Sequence, residues 1–328
     1  MSAPGRPKRE HRSAQREGSP VSEVELLRAM LLIRAFEAAL LRRPDHGFQL
    51  LSAGEEAVAV GACSALTPGD QLLSSGRSIG PALARGLAPN RVMAELLGRT
   101  AGYCGGKGGR GHLAAPAEGF FGAHAVVAGN LTVAAGVALA AQSRGDATIV
   151  ACIFGDGACG AGALHETLNL AALWRLPLVL ICDNNGYSVA TPRAAALAPQ
   201  RLSDLALPFG IPGITVDGMD VRAVRAAAID AAGRARAGLG PTFVECLSER
   251  FATHSTSTRE TRSAAELEAA RARCPIRRFA AELEATGVLN AEARADLELA
   301  VAAEVEAALA FADASPLPDP SEVERDVA

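Results

Sequence analysis

The segment Gly155-Asp156-Gly157-Ala158-Cys159-Gly160 lies between an apolar run, Thr148 to Phe154, and a helical stretch, Ala161 to Trp174. It commits this part of the chain to a strand, a glycine turn and a helix. The free N–H groups of a helix start, together with the helix dipole, favour an anion. Asp156 opposes one unless a cation intervenes. The turn therefore reads as a loop that holds a diphosphate through a divalent metal, with Asp156 as a hard oxygen ligand and the glycines admitting close backbone approach.

The same six residues also satisfy G-x-G-x-x-G, the dinucleotide-binding fingerprint, and Asp183 closes the next strand where a ribose-binding acid would sit. An unpaired carboxylate beside a pyrophosphate counts against that reading. The next strand, Leu178 to Cys182, leads into Asp183-Asn184-Asn185-Gly186-Tyr187. Adjacent parallel strands place their C-terminal ends side by side, so Asn185 can bring an oxygen near Asp156 with a backbone carbonyl close by. Either loop taken alone is also compatible with a plain turn capped by Asp or Asn.

Strands expected at Thr148 to Phe154, Leu178 to Cys182, Ile214 to Val216 and Thr242 to Cys246 alternate with helical segments. That is the pattern of an α/β fold with a doubly wound, mostly parallel sheet flanked by helices. Ligand residues then belong at the strands' C-terminal ends, which adds Asp217-Gly218 and the Ser248 to Arg262 segment as candidates. Helices are expected from Leu26 to Leu41, Glu55 to Ala65, Val126 to Ala141, Ala264 to Cys274 and Pro275 to Ala312, with a short strand at Gln71 to Leu73. Residues 1–20, basic and proline-containing with little to bury, read as a disordered tail; 21–262 form the α/β domain, and 263–328 a helical C-terminal extension and tail. The glycine-rich run Gly102 to His112 is compatible with a phosphate cradle and with a flexible interface loop.

A net charge of −4 argues against a nucleic-acid partner. The seven cysteines form no C-x-x-C pair and read as reduced apolar fillers, Cys159 included. No apolar run is long enough to span a membrane, and the N-terminus has no secretory pattern, so a cytoplasmic chain is expected.

The stretch from Gly155-Asp156-Gly157 through Glu166, Asn169, Ala171 and Leu176-Pro177 to Asn184-Asn185-Gly186-Tyr187 resembles the thiamine-diphosphate motif. More closely, the chain is similar to the α subunit of the first component of 2-oxo acid dehydrogenase complexes of the pyruvate and acetoin type. The likeness extends over Leu26 to Leu41, Gly54-Glu55-Glu56-Ala57, Ala84-Arg85-Gly86, Ala94-Glu95-Leu96, Thr100 to Cys104 and Val216 to Asp220, nearly the whole chain past residue 20.

The resemblance implies thiamine diphosphate and Mg2+, the metal held by Asp156, Asn185 and the Tyr187 carbonyl. It assigns Gly155, Gly157 and Ala158 to the diphosphate turn, Arg77 to diphosphate charge, Ala125 and Val127 to the aminopyrimidine, Phe48 to the cleft wall, and His254 to the thiazolium side as the catalytic candidate. It also implies a β subunit in an α2β2 heterotetramer, which supplies the glutamate that activates the cofactor, and an acyl acceptor protein, lipoyl or carrier. The small-molecule substrate is a short 2-oxo acid or ketone. Leu50 and Ile79 stand where the family usually carries histidines, Gly76 where it has an aromatic residue, and Ala252-Thr253 where it has His-Gly. Fewer proton donors leave open a two-carbon transferase or carboligase not using lipoamide and a catalytically degenerate α subunit, and the G-x-G-x-x-G fingerprint leaves a nicotinamide oxidoreductase as a third class.

Overall fold

The computed structural model describes residues 21–324, and the tail expected over 1–20 lies outside that range. A capping box starts the first helix: Ser22 N–H donates to Glu25 at 2.7 Å and Glu25 N–H to Ser22 Oγ at 3.2 Å. In α1 (Glu23–Leu41), Leu26, Leu27, Met30, Ile33 and Leu40 are buried, the residues whose spacing predicts it. Then come α2 (Glu56–Cys63), β1 (Gln71–Ser75), α3 (Ile79–Ala84) and α4 (Pro89–Leu96). The middle of the chain forms β2 (Phe120–His124), α5 (Gly129–Arg144), β3 (Val150–Gly155), α6 (Gly162–Trp174) and β4 (Leu178–Asn184). A small hairpin of β5 (Tyr187–Ser188) and β6 (Thr191–Pro192), the single turn α7 (Arg193–Ala196) and a 3₁₀ segment, Leu202–Phe209, lead to β7 (Gly213–Asp217), α8 (Val221–Arg236) and β8 (Thr242–Leu247). The helices α9 (Ala264–Ala272), α10 (Pro275–Ala285) and α11 (Ala291–Ala314) follow.

Six strands pair in the order β2-β1-β3-β4-β8-β7, every pair parallel. This is the doubly wound sheet expected from the alternation of strands and helices. Period-two alternation distributes the side chains. Ala151, Ile153, Val179, Ile181 and Val244 point into a core shared with α1, α2, α8, α10 and α11; Val150, Cys152, Leu178, Leu180 and Phe243 point into a second core under α5 and α6. Both faces are therefore covered, as a parallel sheet requires. The seven cysteines are free, and Cys159 is buried with its Sγ 3.7 Å from that of Cys182.

Four local expectations change. Strand β2 carried no sequence signal, because it is short, glycine-interrupted and at the sheet edge. Helix α5 starts at Gly129 rather than Val126, since Ala128 adopts the left-handed conformation (φ 64°) and keeps Val126 and Val127 in the preceding loop. The stretch Pro275–Ala312 is broken around Gly287 (φ 71°), and Asn290 caps a new helix by accepting from Ala293 N–H at 2.8 Å. The run Gly102–His112 is neither a phosphate cradle nor a loose loop: the N–H groups of Cys104, Gly106, Gly108 and Gly109 all donate to the carboxylate of fully buried Glu95, at 2.7–2.9 Å. The nest is filled from within the protein.

Two stability predictions arise here. Gly54 has φ 103°, and a Cβ there would overlap the Glu249 carbonyl oxygen. Gly54→Ala is expected to destabilise by about 2–4 kcal/mol, read from the urea midpoint. Glu37 is buried on α1, with one oxygen accepting from Ser52 N–H at 2.6 Å and the other unpartnered. Burial pushes its carboxyl up to about 8. A raised folded-state pKa means that this stability is complete below the unfolded value and is lost as pH rises toward about 8, a change on the order of a few kcal/mol. Glu37→Gln should flatten the fall of Tm over that window; an unchanged slope would refute the assignment.

Candidate active site

Five strand ends converge on one cleft. Beyond β1 stand Gly76 and Arg77, beyond β2 Ala125 and Val127, beyond β3 the glycine turn, beyond β4 Asn185, and beyond β8 Arg250 and His254. The cleft has a volume of ≈ 330 Å³ and lies at the C-terminal edge, where the winding of the sheet reverses around β1 and β3. Phe48, Arg77, Ala125, Val127, Gly155, Asp156, Gly157, Ala158, Asn185, Tyr187 and His254 all line it. These are the residues singled out from the sequence, brought together from six separate segments.

Asp156 is the least satisfied group in this wall. It is 2 % exposed, and its Oδ2 has no hydrogen-bond partner. Burial, and then the Glu55 carboxylate, push its pKa up to about 6 against the pull of the Gly157 amide. A buried carboxylate so placed calls for a cation or a proton. Across from it, Asn185 donates its Nδ2 to Glu55 Oε1 at 2.6 Å, while its Oδ1 accepts from Tyr187 N–H at 3.1 Å. Asn184 turns the other way, donating to Glu245 inside the sheet at 2.7 Å. Glu55 also pairs with Arg77, Nε to Oε2, at 3.0 Å, so one buried carboxylate orients both an amide and a guanidinium of the cleft.

His254 sits on a loop pinned from behind. Arg262 donates to the carbonyls of Arg250 and Ala252 while gripping Glu260 at 2.8–2.9 Å. Burial, followed by the charges of Arg77, Arg250 and Arg110, lowers the imidazole to about 4. It is therefore neutral at physiological pH, able to donate from one nitrogen and accept at the other. Arg250 is buried, its Nη1 unpartnered, and burial with Arg77 nearby brings its pKa down to about 10.

Some candidates fall away. Asp183 closes β4 with its carboxylate accepting from Ser248 Oγ in the interior, and burial with Glu55 nearby holds it well above the usual carboxylate range. It lies behind the cleft, which removes the ribose-binding acid from the dinucleotide reading. Asp217 is held by Arg278 at 2.7 Å on the edge strand β7, with β8 and β4 between it and the glycine turn. Of the positions that depart from the resembled pattern, Leu50 and Gly76 line the cleft, whereas Ile79 is fully buried in the core and Ala252 faces a neighbouring cavity.

Residues 25–321 match the family model described as "Dehydrogenase E1 component". The chain belongs to the dehydrogenase E1 component family. It is 39 % identical over 322 residues to the α subunit of acetoin:2,6-dichlorophenolindophenol oxidoreductase of Bacillus subtilis, covering 95 % of this chain and 96 % of that one. It is 38 % identical over 317 residues to the pyruvate dehydrogenase E1 component subunit α of Rhizobium meliloti, covering 95 % and 91 %. The bovine mitochondrial somatic pyruvate dehydrogenase E1 α subunit is 34 % identical over 319 residues, covering 92 % and 80 %.

Within this E1 chain the cleft also contains residues not chosen from the sequence: Glu55 on its inner side, and Arg110, His124, Asn130 and Arg250 in its wall. Arg250 lies in the Ser248–Arg262 segment already marked by the strand-end rule. Glu55 and Arg110 lie in stretches already marked, Gly54–Ala57 and Gly102–His112, but without a site role; His124 and Asn130 carry no local pattern.

Proposed function

We propose that this chain is the α subunit of a thiamine-diphosphate-dependent enzyme that decarboxylates a short 2-oxo acid or cleaves a ketone such as acetoin, and passes the acyl unit to an acceptor. The observation that carries it is the buried, unpartnered Asp156 oxygen facing Asn185 over a glycine turn, in a chain of the E1 family. That donor set suits Mg2+: one carboxylate, one amide oxygen and the Tyr187 carbonyl, all hard oxygens, with the remaining positions left for diphosphate. Among the described residues no three His, Cys, Asp or Glu side chains cluster as a metal site. When bound, thiamine diphosphate supplies the carbon nucleophile and the electron sink.

The chain's own residues then have separable tasks. Gly157 and Ala158 offer N–H groups, Arg77 faces the diphosphate with its charge already matched by Glu55, Arg250 offsets phosphate charge, and Val127 with Ala125 presents backbone to the aminopyrimidine. His254, neutral and able both to donate and to accept, is placed to hold a proton at the substrate oxygen. Leu50 and Gly76 make the wall beside it smaller and more apolar than a histidine and an aromatic residue would. A β subunit is supported by the relatives, which are named as α subunits, and by large apolar side chains left open at Val126, Val127, Leu173 and Trp174. Among the described residues no helix is long and apolar enough to cross a membrane.

The test is a co-purified α/β pair assayed with pyruvate, with acetoin and with ketose phosphates, with 2,6-dichlorophenolindophenol as oxidant. Dye reduction with pyruvate or acetoin that requires both thiamine diphosphate and Mg2+ is expected. Consumption of ketose phosphates alone would favour a transferase, and cofactor binding without any turnover a degenerate subunit. An isolated chain that is monomeric and binds the cofactor at full affinity would refute the shared site.

A further inference from the structure

The cleft holds one more cation than its expected contents use. The guanidinium groups of Arg77, Arg110 and Arg250 all line it. Arg77 is matched by Glu55. Arg250, buried with Nη1 unpartnered and near enough to Asp156 to act on its charge, is left for the diphosphate. The metal and the thiazolium ring offset the rest of the negative charge on the diphosphate and Asp156. Arg110 then has nothing to balance it.

Its surroundings are specific. Arg110 follows the glycine nest filled by Glu95, so its backbone is fixed. Its Nε donates to the Phe48 carbonyl at 2.8 Å and its guanidinium lies 4.2 Å from the Phe48 ring centroid. These contacts hold one edge and one face of the group. No carboxylate of the described residues lies within ion-pair distance of it. The Nη1 end occupies the corner that Gly76 leaves open: a Cβ on Gly76 would stand 3.4 Å from Arg110 Nη1, 3.4 Å from Leu50 Cδ1 and 3.8 Å from the Ala125 Cα. A side chain larger than glycine at 76 would crowd the guanidinium. The charged end thus sits beside Leu50 and Ala125, and makes no hydrogen bond to the diphosphate turn.

We propose that Arg110 binds the carboxylate of the substrate and sets a preference for anionic 2-oxo acids over neutral ketones. The inference rests on the thiamine-diphosphate reading and narrows its substrate class. A planar, permanently charged fork with a free edge matches a carboxylate, and Leu50 alongside offers an apolar wall to a short substrate chain. The contact forms on binding and does not strengthen as the carboxylate leaves, so it acts on KM rather than kcat.

The experiment uses the cofactor-loaded α/β complex and oxamate, an isostere of pyruvate that is not decarboxylated. Magnesium-dependent thiamine diphosphate binding is first measured by calorimetry for wild type, Arg110→Gln and Arg110→Lys, then oxamate is titrated into each. Oxamate affinity should fall about ten-fold or more in Arg110→Gln and recover in part in Arg110→Lys, with cofactor affinity unchanged within about two-fold. In turnover, KM for pyruvate should rise by a similar factor while that for acetoin stays put. Equal oxamate binding by wild type and Arg110→Gln, no oxamate binding by wild type, or a parallel loss of cofactor affinity would each overturn the assignment, the last by placing Arg110 on the diphosphate. Failure of the thiamine reading itself would be seen earlier, as wild type that does not bind the cofactor before oxamate is added.

Discussion

Asp156→Ala is expected to remove magnesium-dependent binding of thiamine diphosphate, weakening it roughly a hundred-fold or more, about 2.7 kcal/mol. The size follows from geometry. Asp156 supplies the one charged oxygen in the proposed metal set, and its Oδ2 has no other partner. Asn185 cannot take over, because its amide oxygen is neutral and already belongs to the proposed set, held in place by Glu55 and the Tyr187 N–H. Calorimetry with and without Mg2+ checks this directly: an affinity for the cofactor that is equal in variant and wild type would rule out Asp156 as a ligand.

A second readout separates loss of a ligand from loss of the fold. Burial and Glu55 hold the Asp156 carboxyl near about 6, above its unfolded value. The stability linked to this group is thus complete below the unfolded pKa and is lost as pH rises through about 6. At neutral pH, Asp156→Asn removes a buried charge that has no cation in the free protein. The metal-free variant should therefore melt above wild type while binding the cofactor worse, an opposition that a misfolded protein would not produce.

Much of this site was legible because it obeys local rules. The strand–turn–helix signature places Gly155 to Ala158, and strand adjacency places Asn185 beside it. At Gly102–His112 the sequence does not announce that the nest has an internal ligand. Nothing local announces that the Glu95 carboxylate, on a preceding helix, fills the nest. Glu55 carries resemblance but no role in the sequence: it precedes a helix, as many glutamates do, and only the fold gives it Asn185 and Arg77. Arg110 entered through a gap at Gly76, and a gap is a property of the fold. The glycine turn and Asn185 follow from local pattern, Arg77 and His254 come from the family resemblance, and the pairing of Glu55 with Arg77 and Asn185 is visible only in the fold.

Glu95→Ala carries the largest expected loss of stability. Its two oxygens accept from four backbone amides, Cys104 and Gly106 on one and Gly108 and Gly109 on the other. Truncation leaves all four donors facing a cavity at a fully buried position. An unsatisfied buried donor costs about 1–3 kcal/mol, and the partly exposed loop can turn some of them to water, so a net loss of about 3–5 kcal/mol is expected. Gly106 (φ 78°) and Gly109 (φ 53°) adopt conformations that favour the open chain once the carboxylate is gone. Glu95→Gln should fall between, since its amide keeps one acceptor but turns an NH₂ toward two donors. The urea midpoint and hydrogen exchange at the four amides measure this, and exchange as slow as in wild type with an unchanged midpoint would mean that the nest is ordered by other contacts. Because Arg110 directly follows Gly109, a loosened nest should also raise KM for pyruvate in Glu95→Gln, without changing the affinity for magnesium and thiamine diphosphate.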